Sequence, residues 1–421
     1  MAISYGIIIG ACAVLCTALP TEKLPILKDA PSEVLFTSDN PFVLECKLVG
    51  ENSNGVTFSW IKDGSPLTIN SKEITQRQGE GSLVFQKPSD KVSGTYRCLA
   101  TSEAGQASTR PINVRKAYIN PPKTTLQKLK PTDGKPFQMD CAIPDAYPKP
   151  KISWHYQLIS DSGVSNEVMD PRMTIAPEGT LYVTSAAKSD ANKNFKYVCV
   201  ANTPAAKSGV PLAEYVIEDV LANSNPDNEV YELYTSKDMT VKAGEMTYLY
   251  CIFGGTPLAH PDWFKDGVDV NGSPNDRVTR YNRSKGKRLL IRDVWLTDAG
   301  SYRCVADNEK GKPKEHTMKL SVVAAPKADA MPSAVTRGKS GREITIPCHV
   351  AGVPSPRLYW TYNAQPLKVS DKITINEVTK GNLTVADLTI RGAQTTDKGY
   401  YGCHAENEYG ELYSETLLVV A

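Results

Sequence analysis

Ten cysteines, five histidines and one dense basic run are the groups here whose types and spacing lend themselves to chemistry. Thiols can bind zinc, attack a substrate or pair with one another. Zinc knuckles need Cys-x-x-Cys spacing, which is absent. Hydrolytic or phosphoryl chemistry needs His-Glu-x-x-His, Gly-x-Ser-x-Gly or a phosphate loop, and none occurs. The histidines, His155, His260, His316, His349 and His404, are scattered. His349 and His404 each follow a cysteine. If those cysteines point inward, the two imidazoles leave opposite faces and share no metal. No catalytic residue, metal or cofactor is expected, so pairing is left as the role of the thiols.

The chain's start sets the redox compartment. An apolar run from Ile7 to Leu15, followed by Cys16, Thr17 and Ala18, reads as a secretory signal over residues 1–18, although it lacks a basic residue near Met1. No later segment approaches the roughly 20 apolar residues of a membrane helix, and Leu417 to Ala421 is only strand-length. A secreted chain without a membrane span is expected. Cys12 and Cys16 leave with the signal, and export turns the remaining eight cysteines into a disulfide framework. Near-equal spacings of 52, 58, 53 and 55 residues select Cys46 with Cys98, Cys141 with Cys199, Cys251 with Cys304 and Cys348 with Cys403. A bridge closing a loop of this length contributes about 4 kcal/mol in the chain-entropy model.

The elements that position these cysteines repeat four times. A tryptophan follows each first cysteine (Trp60, Trp154, Trp263, Trp360), and a tyrosine stands two places before each second one (Tyr96, Tyr197, Tyr302, Tyr401). This order resembles the immunoglobulin fold, in which the Trp packs on the inter-sheet disulfide and the Tyr hydroxyl closes a corner. Asp298-Ala-Gly-Ser-Tyr302-Arg-Cys304 and Asp397-Lys-Gly-Tyr-Tyr401-Gly-Cys403 point to the intermediate type. Ahead of them, Leu289, Ile291 and Val294, and Leu388, Ile390 and Ala393, are expected to face inward on strand E and its exit turn. Domains 1 and 2 depart from the motif, with Asp90 and Asp190 farther from their tyrosines, and should reshape that corner. A basic residue opens strand D in each domain (Lys72, Arg172, Arg277, Lys372), and the resemblance implies that it pairs with the corner aspartate.

The expectation is an all-β chain of four tandem immunoglobulin-like sandwiches. Their bounds are 19–116, 117–220, 229–323 and 324–421, with a connector at 221–228. Twenty Tyr against eight Phe, with 29 Gly and 29 Pro, suit short strands joined by many turns. The connector, Leu-Ala-Asn-Ser-Asn-Pro-Asp-Asn, is polar, and eight extended residues reach about 26 to 29 Å, enough for the chain to double back. A flexible hinge between two rigid pairs is the alternative.

A net charge of only +2 removes the signature of a nucleic-acid binder, so any charge-driven binding is local. The densest feature holds Arg277, Arg280, Arg283, Lys285, Lys287, Arg288 and Arg292 without an acidic residue. Arg280, Arg283, Lys285, Lys287 and Arg288 are the candidates for an anionic ligand, since Arg grips phosphate with a planar fork and Lys adds a point charge. A solvated hairpin is the competing reading. Lys123, Lys128, Lys130 and Lys135 form a weaker group. Asn271, Asn282 and Asn382 head glycosylation sequons, and a glycan on Asn282 would cover part of the run.

Four such domains, the export signal and the longer connector after the second together resemble the hemolin family of insect hemolymph immune proteins, over the whole chain. The resemblance implies kinship with the first four domains of neuroglian-type neural adhesion molecules. It also implies a horseshoe with domain 1 against 4 and 2 against 3. It implies an innate-immune factor of hemolymph that binds lipopolysaccharide, lipoteichoic acid and the hemocyte surface and is capable of homophilic association. The alternative is a developmental or neural-type adhesion ligand that binds only proteins.

Overall fold

The computed structural model describes residues 25–421 except 39, 51–54, 70–72, 104, 162, 164, 271–276, 282 and 283. The expected signal segment and Lys72, Asn271, Asn282 and Arg283 lie outside the described residues.

Each domain is a sandwich of two sheets. In domain 1, Glu33–Phe36, Ile112–Lys116, Gly94–Ser102, Thr57–Lys62 and Ser65–Pro66 form one sheet, and Phe42–Leu44, Leu83–Phe85 and Ile74–Gln76 the other. Domain 2 repeats this with Leu126–Leu129, Val210–Ile217, Phe195–Asn202, Lys151–Leu158 and Ser165–Glu167 over Phe137–Met139, Leu181–Val183 and Met173–Ile175. Leu126–Leu129 runs parallel to Val210–Ile217, as Glu33–Phe36 does to Ile112–Lys116 in domain 1.

The repeated residues build the cores. Trp60, Trp154, Trp263 and Trp360 are buried, and their indole N–H groups donate to Gly81, Gly179, Gly286 and Ala386 carbonyls at 2.7–2.8 Å. Cys46–Cys98, Cys141–Cys199, Cys251–Cys304 and Cys348–Cys403 are bridged beside them. Leu289, Ile291 and Val294, and Leu388, Ile390 and Ala393, face the cores of domains 3 and 4.

At the corner, the hydroxyls of Tyr302 and Tyr401 donate to the Asp298 and Asp397 carbonyls at 2.9 and 3.0 Å. The aspartates accept the Trp295 and Gln394 amides and pair with Arg277 and Lys372. Domain 1 keeps the tyrosine bond, Tyr96 to the Val92 carbonyl, but its shifted Asp90 pairs with Lys116 at 2.7 Å. Domain 2 does the reverse. Arg172 holds Asp190 at 2.7 Å, while the Tyr197 hydroxyl meets Tyr156 at 3.4 Å. The insertion before the tyrosine thus reshapes the corner in both domains, because its bonds depend on the same short turn.

Domains 3 and 4 share one strand. Lys314–Ala330 pairs with Gly300–Ala306 of domain 3 and then with His349–Val353 of domain 4, so one sheet crosses the boundary without a linker. Between domains 2 and 3, Leu221 still pairs with Thr132, and Asp227 is held by Lys135. The chain turns back in the stretch between, and domain 2 packs on domain 3 and domain 1 on domain 4, the horseshoe arrangement.

Candidate functional site

The basic run does not present one cationic face. Arg277 holds Asp298 through two bonds of 2.5 and 2.9 Å and lies over the Trp295 ring. Arg280 pairs with Asp262 at 3.1 Å. Lys287 is a correction to the expectation of a surface ligand group. It is 0% exposed, and its ammonium donates to the Ser284 carbonyl at 3.1 Å and to the Pro171 carbonyl of domain 2 at 3.0 Å. Burial, and then the nearby Lys285, push its pKa down to about 8. Arg288 is half-buried, with its guanidinium over the Tyr281 and Tyr248 rings at 4.4 and 5.1 Å. Lys285 is exposed on a turn where it and Gly286 both adopt positive φ.

The second basic group is also engaged. Lys128 and Lys130 lie at 2.7 and 3.9 Å from Glu218, and Lys135 bonds Asp227 and Tyr231. Asn382 is exposed at the turn between Ile373–Lys380 and Leu383–Ile390. His349 bonds Asp387 at 2.9 Å, far in role from His404, and among the described residues no cluster of His, Cys, Asp or Glu could hold a metal.

Two interdomain faces gather side chains from different domains. The inward parity of Leu358, Trp360, Tyr401, Cys403 and Ala405 turns Tyr359, Thr361, Tyr400 and His404 outward toward domain 1. His404 is 4% exposed and lies stacked on Tyr359 and against Tyr413, each at 4.6 Å between centroids. Its Nε2 lies 3.0 Å from the Thr361 hydroxyl and its Nδ1 3.5 Å from the Arg97 guanidinium of domain 1. Burial, and then Arg97, push its pKa down to about 3, so it is neutral here.

Beside it, the Ser108 amide of domain 1 donates to Glu415 at 3.1 Å, and the Ser108 hydroxyl lies 2.9 Å from that of Tyr413, which itself bonds Glu415. Tyr400 donates to the Pro25 carbonyl at 2.7 Å. A cavity of about 290 Å³ remains between Leu27, Ala107, Tyr400, Glu415 and Leu417. Sequence reasoning missed this face. The available signal was aromatic residues at outward positions on three adjacent strands.

Domains 2 and 3 meet through Ala176, Tyr182 and Ile252, with Tyr234 and Tyr250 packed against them. The Thr256 hydroxyl donates to the Gly134 carbonyl at 2.8 Å, and the Gly255 amide to that of Thr184 at 2.8 Å. A Cβ at Gly254 would stand 2.5 Å from the Thr184 oxygen and 2.8 Å from Pro136. Gly254→Val should therefore separate domains 2 and 3 while leaving each folded. Small-angle scattering is expected to show a larger radius of gyration than wild type, and an unchanged profile would contradict this.

The immunoglobulin I-set domain model matches residues 233–322 and 326–420, and the immunoglobulin domain model residues 32–111. Hemolin of Manduca sexta is 45% identical over 98% of this chain and 98% of that protein, and hemolin of Hyalophora cecropia 44% identical over all of both. Neuroglian of Drosophila melanogaster is 32% identical over 93% of this chain and 30% of that protein. The crystal structure of the insect immune protein hemolin, a new domain arrangement with implications for homophilic adhesion, superposes with a TM-score of 0.87 at 44% identity, covering 95% of this chain and all of that one.

Proposed function

The chain belongs to the hemolin family of insect immune and adhesion proteins built from immunoglobulin domains, and from this premise we propose that it is a secreted recognition and adhesion-modulating protein of hemolymph. In this reading it binds lipopolysaccharide and lipoteichoic acid and the hemocyte surface, and associates homophilically. The observation that carries the adhesive part is the domain 1–domain 4 contact. Two complete domains meet there through exposed-parity polar and aromatic groups, so the same faces can satisfy a second copy when the horseshoe opens. Sedimentation of the full chain over a concentration series tests this, and a strict monomer at all concentrations would contradict it. Glycans on Asn271, Asn282 and Asn382 belong to the same reading.

For the bacterial ligand, Lys287 is buried and Arg280 and Arg288 are already paired or stacked, which leaves Lys285 as the exposed candidate among the described residues of the run, with Arg283 kept from the sequence alone. Such a site attracts phosphate groups mainly through charge, over a Debye length of about 8 Å at physiological salt. The double substitution Arg283→Glu and Lys285→Glu is expected to weaken binding to lipopolysaccharide about tenfold, less so at high salt, without moving the melting temperature. Unchanged or salt-indifferent binding would return the run to a solvated hairpin. Absence of any binding to bacterial lipids in the wild type would favour the purely protein-binding ligand.

A further inference from the structure

Strand D is three residues long in domains 1 to 3, Ile74–Gln76, Met173–Ile175 and Val278–Arg280, and eight residues long in domain 4, Ile373–Lys380. On one side it pairs with Leu383–Ile390 through a tight turn at Gly381-Asn382, and among the described residues no strand takes its other side. The pairing parity shows which backbone groups are left over. The Arg391 amide donates to the Lys372 carbonyl at 2.8 Å, so by alternation residues 374, 376, 378 and 380 turn their amides and carbonyls to Leu383–Ile390. The backbone groups of Ile373 are taken by Ser370. Those of Ile375, Glu377 and Thr379 point away from the sheet, along an edge where Glu377 and Thr379 are exposed. Proline and bulges, two common protections of such an edge, are absent from it, and it carries Val378, 42% exposed.

We propose that this edge pairs antiparallel with the same edge of a second copy of the chain, in a two-fold register centred on Val378. The proposal rests on the homophilic reading and adds to it a surface that stays available in the closed horseshoe. A second copy is the occupant because the edge is self-complementary in one register. Strand parity allows only odd residues to oppose odd ones and even residues even ones. Centring on Glu377 would set two carboxylates face to face, and centring on Asn376 would set Lys380 against Lys372 and require the Ile373 backbone that Ser370 already holds. Centring on Thr379 would run the pairing into the Gly381-Asn382 turn.

Centring on Val378 sets Glu377 against Thr379 on both sides of the axis, each pair exchanging its two backbone bonds. Lys380 then opposes Asn376, and Val378 covers its own copy. No like charges meet, and an exposed apolar side chain is removed from water. A contact of this size is weak alone and suits adhesion, where many copies act together. Asn382 would stand against Thr374 of the second copy, so a glycan there blocks the pairing.

Cysteine cross-linking of the full chain, produced without N-glycans, tests this. Residue 378 would face its own copy at a non-hydrogen-bonded position with Cα atoms about 4.5 Å apart, within disulfide reach. Val378→Cys is expected to form an interchain disulfide about tenfold faster than Asn376→Cys, which would meet Lys380 instead. Equal rates, or no cross-link in V378C, overturn the register. Should the added thiol disturb the native bridges, a second measurement decides. Thr379→Lys sets an opposite charge against Glu377 of the second copy, and Thr379→Glu a like one. Sedimentation should show T379K associating about fivefold more tightly than wild type and T379E about as much more weakly. Identical constants for the two variants refute the edge. A wild type that associates while V378C stays uncross-linked sinks this surface and leaves the homophilic reading standing. A wild type that is monomeric at every concentration sinks both.

Discussion

Replacing Trp263 with alanine is expected to destabilise domain 3 by about 3 to 5 kcal/mol, against a total of about 5 to 15 for such a domain. The indole is fully buried in a cluster with Leu249, Leu289, Tyr302 and the Cys251–Cys304 bridge. Its removal leaves a cavity that a cross-linked core cannot collapse to fill. The indole N–H also anchors the Gly286 carbonyl at 2.8 Å, so the turn bearing Lys285 and Lys287 loses its tether to the core. Calorimetry of the full chain should show one transition lowered by roughly 12 to 30 °C. Loss of the domain 2–domain 3 contact should accompany it, since Lys287 reaches Pro171 from that turn. A shift of only a degree or two would mean that the tryptophan is peripheral to the core.

Lys287→Glu is expected to break the closed horseshoe at the domain 2–domain 3 contact. The ammonium is enclosed by the Pro171 and Ser284 carbonyls, and a carboxylate there would face two acceptors with no donor. An uncompensated buried charge costs several kcal/mol, more than a modest interdomain contact withstands. Scattering should show separation of domains 2 and 3, with four folded domains retained. The native lysine has its own pH signature. Its folded pKa is lowered to about 8 from 10.5, so its contribution is present above 10.5 and is lost as pH falls through about 8. The domain 2–domain 3 contact should therefore tighten as pH rises between these values. Lys287→Met should remove that slope. If K287E leaves the scattering profile unchanged, the interdomain bond carries no weight.

The sandwiches themselves were legible because their determinants are local and repeated. Trp60, Trp154, Trp263 and Trp360 sit at nearly constant offsets from cysteines whose near-equal spacings pair them within each repeat, and the all-β architecture follows. Even the corner departures of domains 1 and 2 were visible as displaced aspartates, though the partners each would take were not. That depended on whether Lys116 or Arg172 stood within reach, which is a matter of three-dimensional distance.

The candidate site was less legible. Seven basic residues in sixteen positions look alike as charges, and only folding assigned them separate fates. Arg277 found a carboxylate on the turn Leu296–Asp298 and Arg280 one on the strand Asp262–Lys265, Arg288 found two tyrosine rings, and Lys287 was covered by a domain more than a hundred residues earlier in the chain. Likewise Glu415 is an ordinary outward strand residue until domain 1 closes over it. Residue type and period thus decided which side chains face each core, because that depends on a few neighbouring positions. Burial of the outward residues, and with it their protonation and availability to a ligand, was decided only by the fold-back that sets one domain on another, since desolvation comes from atoms far away in sequence.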